Sequence, residues 1–228
     1  MRRALALAAL ALTAAADPKP ASLLTAADLD PALVLPPPPA AGSLQERAEL
    51  AELHAAEAAR TAADEADARA DGDTKDATIF AAAIGPGFNL QRLPATTRLL
   101  AMVRASEKDT VDRGKAEFRR TRPYAVDLSL KSCKRNEDLL SSYPSGHTSR
   151  AYALGETLAR LLPAHASAIL ARAARYGQSR IVCGQHFRSD VTAGAVLGTL
   201  VAERLQAKPA FVAAARAAAA ELAAAGLR

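Results

Sequence analysis

The stretch from Pro144 to Gln206, PSGHTSRAYALGETLARLLPAHASAILARAARYGQSRIVCGQHFRSDVTAGAVLGTLVAERLQ, decides the fold class. It reads as three consecutive helices, from Pro144 or Ser145 to Leu162, from Pro163 to about Ser179 and from Ser189 to about Gln206. Proline at a first helical position costs no hydrogen bond, and serine at a cap accepts from the first-turn amides. Working outward, a helix beginning near Pro94 carries Leu99, Leu100, Val103 and Val111 toward Phe118. It is expected to end at Arg122, because the residue before Pro123 is pushed out of the α region. A short helix around Thr78 to Ile84 is stopped by Gly85-Pro86-Gly87, and an Ala-rich helix runs from Pro209 to Gly226. Nearer the N-terminus, Ser43-Leu44-Gln45-Glu46 has the form of a capping box and predicts a helix to about Arg69. The acidic stretch from Asp64 to Asp76 resembles a solvated face followed by a turn at Asp71-Gly72-Asp73, without the ligand spacing of an EF-hand. No alternating strand pattern and no repeat occurs, so the expected fold is all-α, a single helical bundle over residues 43–228.

Composition supports the same class. Of 228 residues 58 are alanine, the best helix former, while aromatics make up 4%. The core must therefore come from many closely packed small side chains. No apolar run beyond the N-terminus reaches the roughly 18 residues needed to span a bilayer, which excludes a multi-span membrane enzyme and stable membrane insertion. The N-terminus itself reads as an export signal over residues 1–16, with Arg2 and Arg3, an apolar run from Ala4 to Leu12, and Ala14-Ala15-Ala16 before Asp17. The mature chain is then periplasmic or secreted, and loss of the two arginines lowers its net charge from +5 to +3. Residues 17–42, ending in Pro36-Pro37-Pro38-Pro39, form an extended arm on the domain. Cys133 and Cys183 are compatible with one disulfide or with two buried thiols. Mild basicity suits an anionic small molecule as well as a nucleic acid.

Three short blocks put hydrogen-bonding and charged residues where the helical pattern breaks. In the last, His186 precedes Ser189, read as an N-cap, and Asp190 lies one turn on. A carboxylate on Nδ1 of a histidine fixes the tautomer and frees Nε2 as nucleophile or base. In the second, Gly146 allows a tight turn after Pro144, so that the amides of Ser145, Gly146 and His147 face one anion at a helix N-terminus. In the first, Lys115 and Arg122 are two helical turns apart and Arg180 adds a guanidinium from another element. Three converging cations without carboxylate partners make sense around a polyanion. By contrast, Arg113, Arg119, Arg120 and Lys131 read as ordinary surface cations, and His54 and His165 as surface or packing residues.

Together, Lys115-x6-Arg122-Pro123, Pro144-Ser145-Gly146-His147 and Ser179-Arg180-x5-His186-x3-Asp190 resemble the three-part signature of the type 2 phosphatidic acid phosphatase superfamily, which includes the vanadium haloperoxidases. The proline run and Ser142-Tyr143-Pro144-Ser145-Gly146-His147-Thr148 resemble the class A bacterial non-specific acid phosphatases. That resemblance implies an acid phosphatase of broad specificity for small phosphomonoesters, acting without metal or other cofactor and without nucleic acid as a partner. It implies that His186 is the nucleophile that becomes a phosphohistidine, that Asp190 orients it and that His147 protonates the leaving group. Lys115, Arg122, Ser145, Gly146 and Arg180 would bind the phosphoryl oxygens. A vanadate-dependent haloperoxidase or a soluble lipid-phosphate phosphatase would use the same pocket. The weakly charged C-terminal helix has the length to contact a second copy, so a homo-oligomer is compatible with the sequence.

Overall fold

The structure is a computed structural model that describes residues 20–227. The export signal read over residues 1–16 lies outside the described residues. All regular elements described are helical, and no strand occurs among the described residues.

The arm is extended apart from a turn after Thr25, the single helical turn α1 (Pro31–Val34), opened by the Asp30 side chain, and a turn at Ala41-Gly42. It lies on the domain as expected: Leu24, Leu29 and Leu35 are buried in the main core. The Tyr143 hydroxyl donates to the Pro36 carbonyl at 2.6 Å.

Helix α2 (Leu44–Ala59) starts at Ser43, whose Oγ accepts the Glu46 amide. The expected continuation to Arg69 fails. Thr61 and Asp64 form a capping box that begins a new helix, α3 (Ala62–Asp73), because a threonine that satisfies first-turn amides competes with continuation. The expected turn at Asp71-Gly72-Asp73 is instead the last turn of α3. Nor is this acidic stretch wholly a solvated face. Asp71 pairs with Arg172 and accepts the Ser179 hydroxyl, fastening α3 to the later helix that carries both.

A 3-10 turn (Ala77–Phe80) leads into α4 (Ala81–Ile84), stopped at Gly85 with φ 110°. The long α5 (Pro94–Phe118) lacks a side-chain cap of its own. Glu221 supplies one from far along the chain, accepting the amides of Ala95 and Thr96 at 2.9 and 2.8 Å. The helix ends earlier than predicted, because Arg119 turns left-handed with φ 45°. Arg122 then sits outside it in extended geometry before α6 (Pro123–Val126), as a pre-proline residue prefers.

Four helices complete the bundle: α7 (Gly146–Leu161), α8 (Ala166–Val182), α9 (Arg188–Leu205) and α10 (Pro209–Ala224). The start of α9 corrects the cap assignment, since Phe187 and not Ser189 occupies the N-cap position. The buried side of α10, including Phe211, Ala218 and Leu222, joins the main core, so that face of the Ala-rich tail is used within the chain. Cys133 and Cys183 are joined in a disulfide, resolving the alternative left open by the sequence.

Close approach of α7 and α9 is what places the site. A Cβ built on Gly194 would lie 2.5 Å from the Ser145 carbonyl, and one on Gly198 would lie 2.2 Å from that of Ser149. Neither backbone can yield without moving its helix. Gly198→Ala is accordingly expected to destabilise the fold by about 1–3 kcal/mol through overpacking. Urea denaturation would read this as a lowered midpoint, and an unchanged midpoint would show that the helices separate at no cost.

Candidate active site

The site grows from Asp190, the third residue of α9, which is fully buried. One carboxylate oxygen accepts the Phe187 amide at 2.8 Å and the Ser142 hydroxyl at 2.6 Å. The other accepts Arg120 Nη1 at 2.8 Å, and the Asp190 carbonyl accepts the Ser145 amide at 3.0 Å. Burial pushes the Asp190 pKa up, against the pull of Arg120, the Ser142 hydroxyl and the Phe187 amide. These contacts join the loop before α7, the segment after α5 and the start of α9 at one residue.

His186 is 1% exposed. Its Nδ1 lies 2.8 Å from the Ser142 carbonyl and 3.4 Å from Asp190 Oδ2. A carbonyl only accepts, so Nδ1 carries the hydrogen and Nε2 presents a lone pair. The orienting partner predicted from sequence, Asp190, is therefore a neighbour, while the backbone of Ser142 makes the short bond. Asp190 positions that backbone through the Ser142 hydroxyl. Nε2 accepts from Arg122 Nη1 at 3.0 Å.

The predicted cations do converge, although Lys115 and Arg122 do not share a helix. Arg122 is 5% exposed, donates to the Gln185 carbonyl and the Ser141 hydroxyl, and keeps its Nε without a partner. Arg180, also 5% exposed, has a buried unpartnered Nε as well. Its guanidinium passes close to α3, so that a Cβ on Gly72 would lie 2.7 Å from Nη1 and would displace it. A Cβ on Gly146 would lie 3.6 Å from Lys115 Nζ, so the ammonium stands against the positive end of α7. Burial and then Arg122 bring the Lys115 pKa down to about 8. None of the three pairs with a carboxylate within 4.0 Å among the described ion pairs. Ser145 caps α7, its Oγ accepting the Thr148 hydroxyl at 3.0 Å, which leaves its own hydrogen for another acceptor.

Arg122, His147 and Arg180 line a pocket of about 90 Å³, closed by Gly72 and Asp73 of α3 and by Cys133, Lys134, Asn136 and Gln185. Such a volume suits one tetrahedral oxyanion. Lys115, Ser145, Gly146, His186 and Asp190 do not line it, although His186 Nε2 touches Arg122 of its wall and Lys115 lies beside Gly146. His147 Nε2 lies 3.0 Å from the Gly72 carbonyl and so carries a hydrogen. Burial, then Arg180, Arg150 and His186 hold the His147 imidazole well below its usual pKa, and burial, then Arg122, Arg180 and Lys115 do the same to His186. Both rings are thereby held toward the neutral form. Among the described residues, no group of three or more acidic, histidine or cysteine side chains is arranged to hold a metal ion.

Sequence reading missed Arg120, taken for a surface cation. It is 6% exposed, bridges Glu49 of α2 to Asp190 and lies 3.9 Å from the Phe187 ring centroid. Its neighbour Arg119 ends α5, and a helix-terminal arginine carries no signal of such burial. Also missed were Ser141 and Ser142, whose hydroxyls hold Arg122 and Asp190.

Residues 97–206, a span that contains all eight predicted site positions, match the PAP2 superfamily. An acid phosphatase of Zymomonas mobilis subsp. mobilis is 35% identical over 177 residues, 75% of this chain and 67% of that protein. A non-specific acid phosphatase of Providencia stuartii is 32% identical over 196 residues, 80% of this chain and 77% of the relative. One from Salmonella typhi is 34% identical over 140 residues, and there the chain spans only 56% of the relative. In three dimensions the chain resembles a transmembrane PAP2 type phosphatidylglycerolphosphate phosphatase from Bacillus subtilis, with TM-score 0.54 and 20% identity over 69% of this chain and 82% of that one. That likeness speaks to the fold. In this chain no helix among the described residues is long and apolar enough to cross a membrane.

Arg120→Met is expected to lower stability by about 3–5 kcal/mol, because it strands two buried carboxylates. Thermal or urea unfolding measures this, and a loss below about 1 kcal/mol would mean that the carboxylates are solvated. A bound dianion would offset the cations that depress His147, so the bound state holds more protons than the free one and affinity rises as pH falls. Calorimetric titration with sulfate, whose charge is constant in this range, in buffers of different ionisation enthalpy should register net proton uptake near pH 6. Zero uptake, or uptake unchanged in His147→Ala, would contradict it.

Proposed function

Since this chain belongs to the PAP2 superfamily, we propose that it is an exported acid phosphatase that hydrolyses small phosphate monoesters of broad specificity through a phosphohistidine on His186, without a metal. The observation that carries this is the His186 ring, fixed by the Ser142 carbonyl with its Nε2 lone pair turned to Arg122, which lines a cationic pocket with Arg180 and His147.

In the first step the Nε2 lone pair attacks phosphorus as the ester P–O bond breaks, and the leaving oxygen takes a proton from His147. The ester oxygen competes with the Gly72 carbonyl for that hydrogen. In the second step water attacks phosphorus, a proton passes to His147, the P–N bond breaks and inorganic phosphate leaves. Arg122 and Arg180 of the pocket wall bind the phosphoryl oxygens in this reading, with Lys115, the Ser145 hydroxyl and the Gly146 amide as further donors. Phosphoryl transfer asks mainly for positioning and charge stabilisation, which this donor set supplies. Asp190 holds the scaffold of the nucleophile and keeps positive charge that forms on His186 beside a carboxylate.

Acid preference follows from the proton that His147 must hold at the moment of transfer. Bound phosphoester raises its proton affinity, and lower pH raises the fraction of His147 that carries the proton. Export is supported by the signal read over residues 1–16 and by the Cys133–Cys183 bridge, since disulfides persist in oxidising compartments.

His186→Ala should abolish phosphoenzyme trapped by acid quench, with p-nitrophenyl phosphate hydrolysis lost, and Arg180→Ala should cost about 10²–10³ in kcat, as for loss of one oxyanion donor. Wild-type turnover should persist in EDTA. Near-normal hydrolysis by His186→Ala would remove the nucleophile assignment, and inactivation by chelator with recovery on adding metal would remove metal independence.

A further inference from the structure

Behind the anion pocket, polar side chains that the reaction above does not use meet between α5 and α7. Glu107 of α5 is 1% exposed, and neither of its carboxylate oxygens has a hydrogen-bond partner. Across from it on α7, Ser149 Oγ and the Nε and Nη1 atoms of Arg150 are buried and equally unpartnered. Ser149 is close enough to act on the carboxylate, without hydrogen-bond geometry. A charge removed from water is tolerated when an opposite charge accompanies it. Glu107 and Arg150 form no hydrogen bond, so Arg150 offsets the carboxylate charge across a longer gap.

Arg150 stands three residues after His147 on α7 and therefore on an adjoining part of the helix surface. We propose that Glu107 is a positioning residue for the reaction: its carboxylate, set between α5 and α7, offsets the Arg150 guanidinium and so lets His147 hold the proton that the leaving group takes. This rests on His147 as the proton donor.

The charges around the layer leave Glu107 that task. The cations that act on it are Arg104 and Lys115 from α5 and Arg150 from α7. Arg150 acts in turn on Arg104, on Tyr176 of α8 and on His147. His147 further meets Arg180 of α8 and His186. Asp76 acts on Arg104 from outside the layer. Burial pushes the Glu107 pKa up to about 7, against the pull of Arg150. Its negative charge therefore appears as pH rises through neutrality, the range in which His147 would otherwise be fully deprotonated. Glu107 extends activity toward neutral pH and has little effect in acid.

Two readouts test this on the full chain. The first is the His147 titration midpoint, followed by 15N NMR with saturating sulfate; the second is the pH profile of kcat/KM for p-nitrophenyl phosphate. In Glu107→Gln the midpoint should fall and the alkaline limb should move to lower pH by about one unit, a tenfold loss on that limb, with rates in acid unchanged. Arg150→Met should move both readouts the opposite way, and the double variant should return toward wild type. A uniform loss at every pH, or an unmoved His147 midpoint, would overturn the proposal. Should Glu107→Gln fail to fold, Arg150→Met alone decides it by whether the midpoint rises. A wild-type chain that does not hydrolyse the ester would overturn the phosphatase function instead, while the NMR midpoints would still decide the coupling.

Discussion

A buried carboxylate on the first turn of α9 is the constraint on which the site depends. Asp190 has no contact with water, yet it is satisfied by a backbone amide, a hydroxyl and a guanidinium. Each donor comes with its segment: Phe187 fixes the start of α9, Ser142 the loop that orients His186, and Arg120 the stretch leading to Arg122. Moving any of them would leave a charge uncompensated in a dry interior, where the penalty reaches several kcal/mol. One residue thereby sets the relative placement of the three sequence blocks.

Small residues let that placement be tight. Gly194 and Gly198 allow α9 to touch the backbone of α7, and Gly177 lets α8 close on Thr148 and Val191. The alanine-rich composition serves the same purpose, because helices that meet through methyl groups and glycines bring their backbones near. The cations gain from this in an unfavourable way: Lys115, Arg122 and Arg180 are confined together, and among the described residues none of them has a carboxylate within 4.0 Å. That stored repulsion is what makes a tetrahedral anion welcome, and it adds to burial in holding the pKa of both histidines down.

Much of this was legible in the sequence. Helix starts marked by Ser43, Pro94 and Pro209 and the stop at Gly85 are local chemistry, and the fold class follows from them. Convergence of the eight site positions was legible as spacing. What could not be read was any feature decided by a distant partner. Arg120 looks like Arg119 in the sequence, and only the approach of Glu49 and Asp190 makes it a buried bridge. The break at Thr61 is a contest between a cap and a continuing helix, settled by Arg60 reaching the Val182 and Lys131 carbonyls. The left-handed turn at Arg119 carries no glycine to announce it.

The cap that Glu221 gives to α5 has a consequence for the order of events during synthesis. The amides of Ala95 and Thr96 receive their acceptor from a residue more than a hundred positions later. Until α10 has been synthesised, the helix bearing Lys115 lacks the acceptor that caps its leading end in the folded chain. Locking of this helix is thus deferred until nearly the whole polypeptide has emerged, which favours a loosely packed nascent chain over a prematurely finished one.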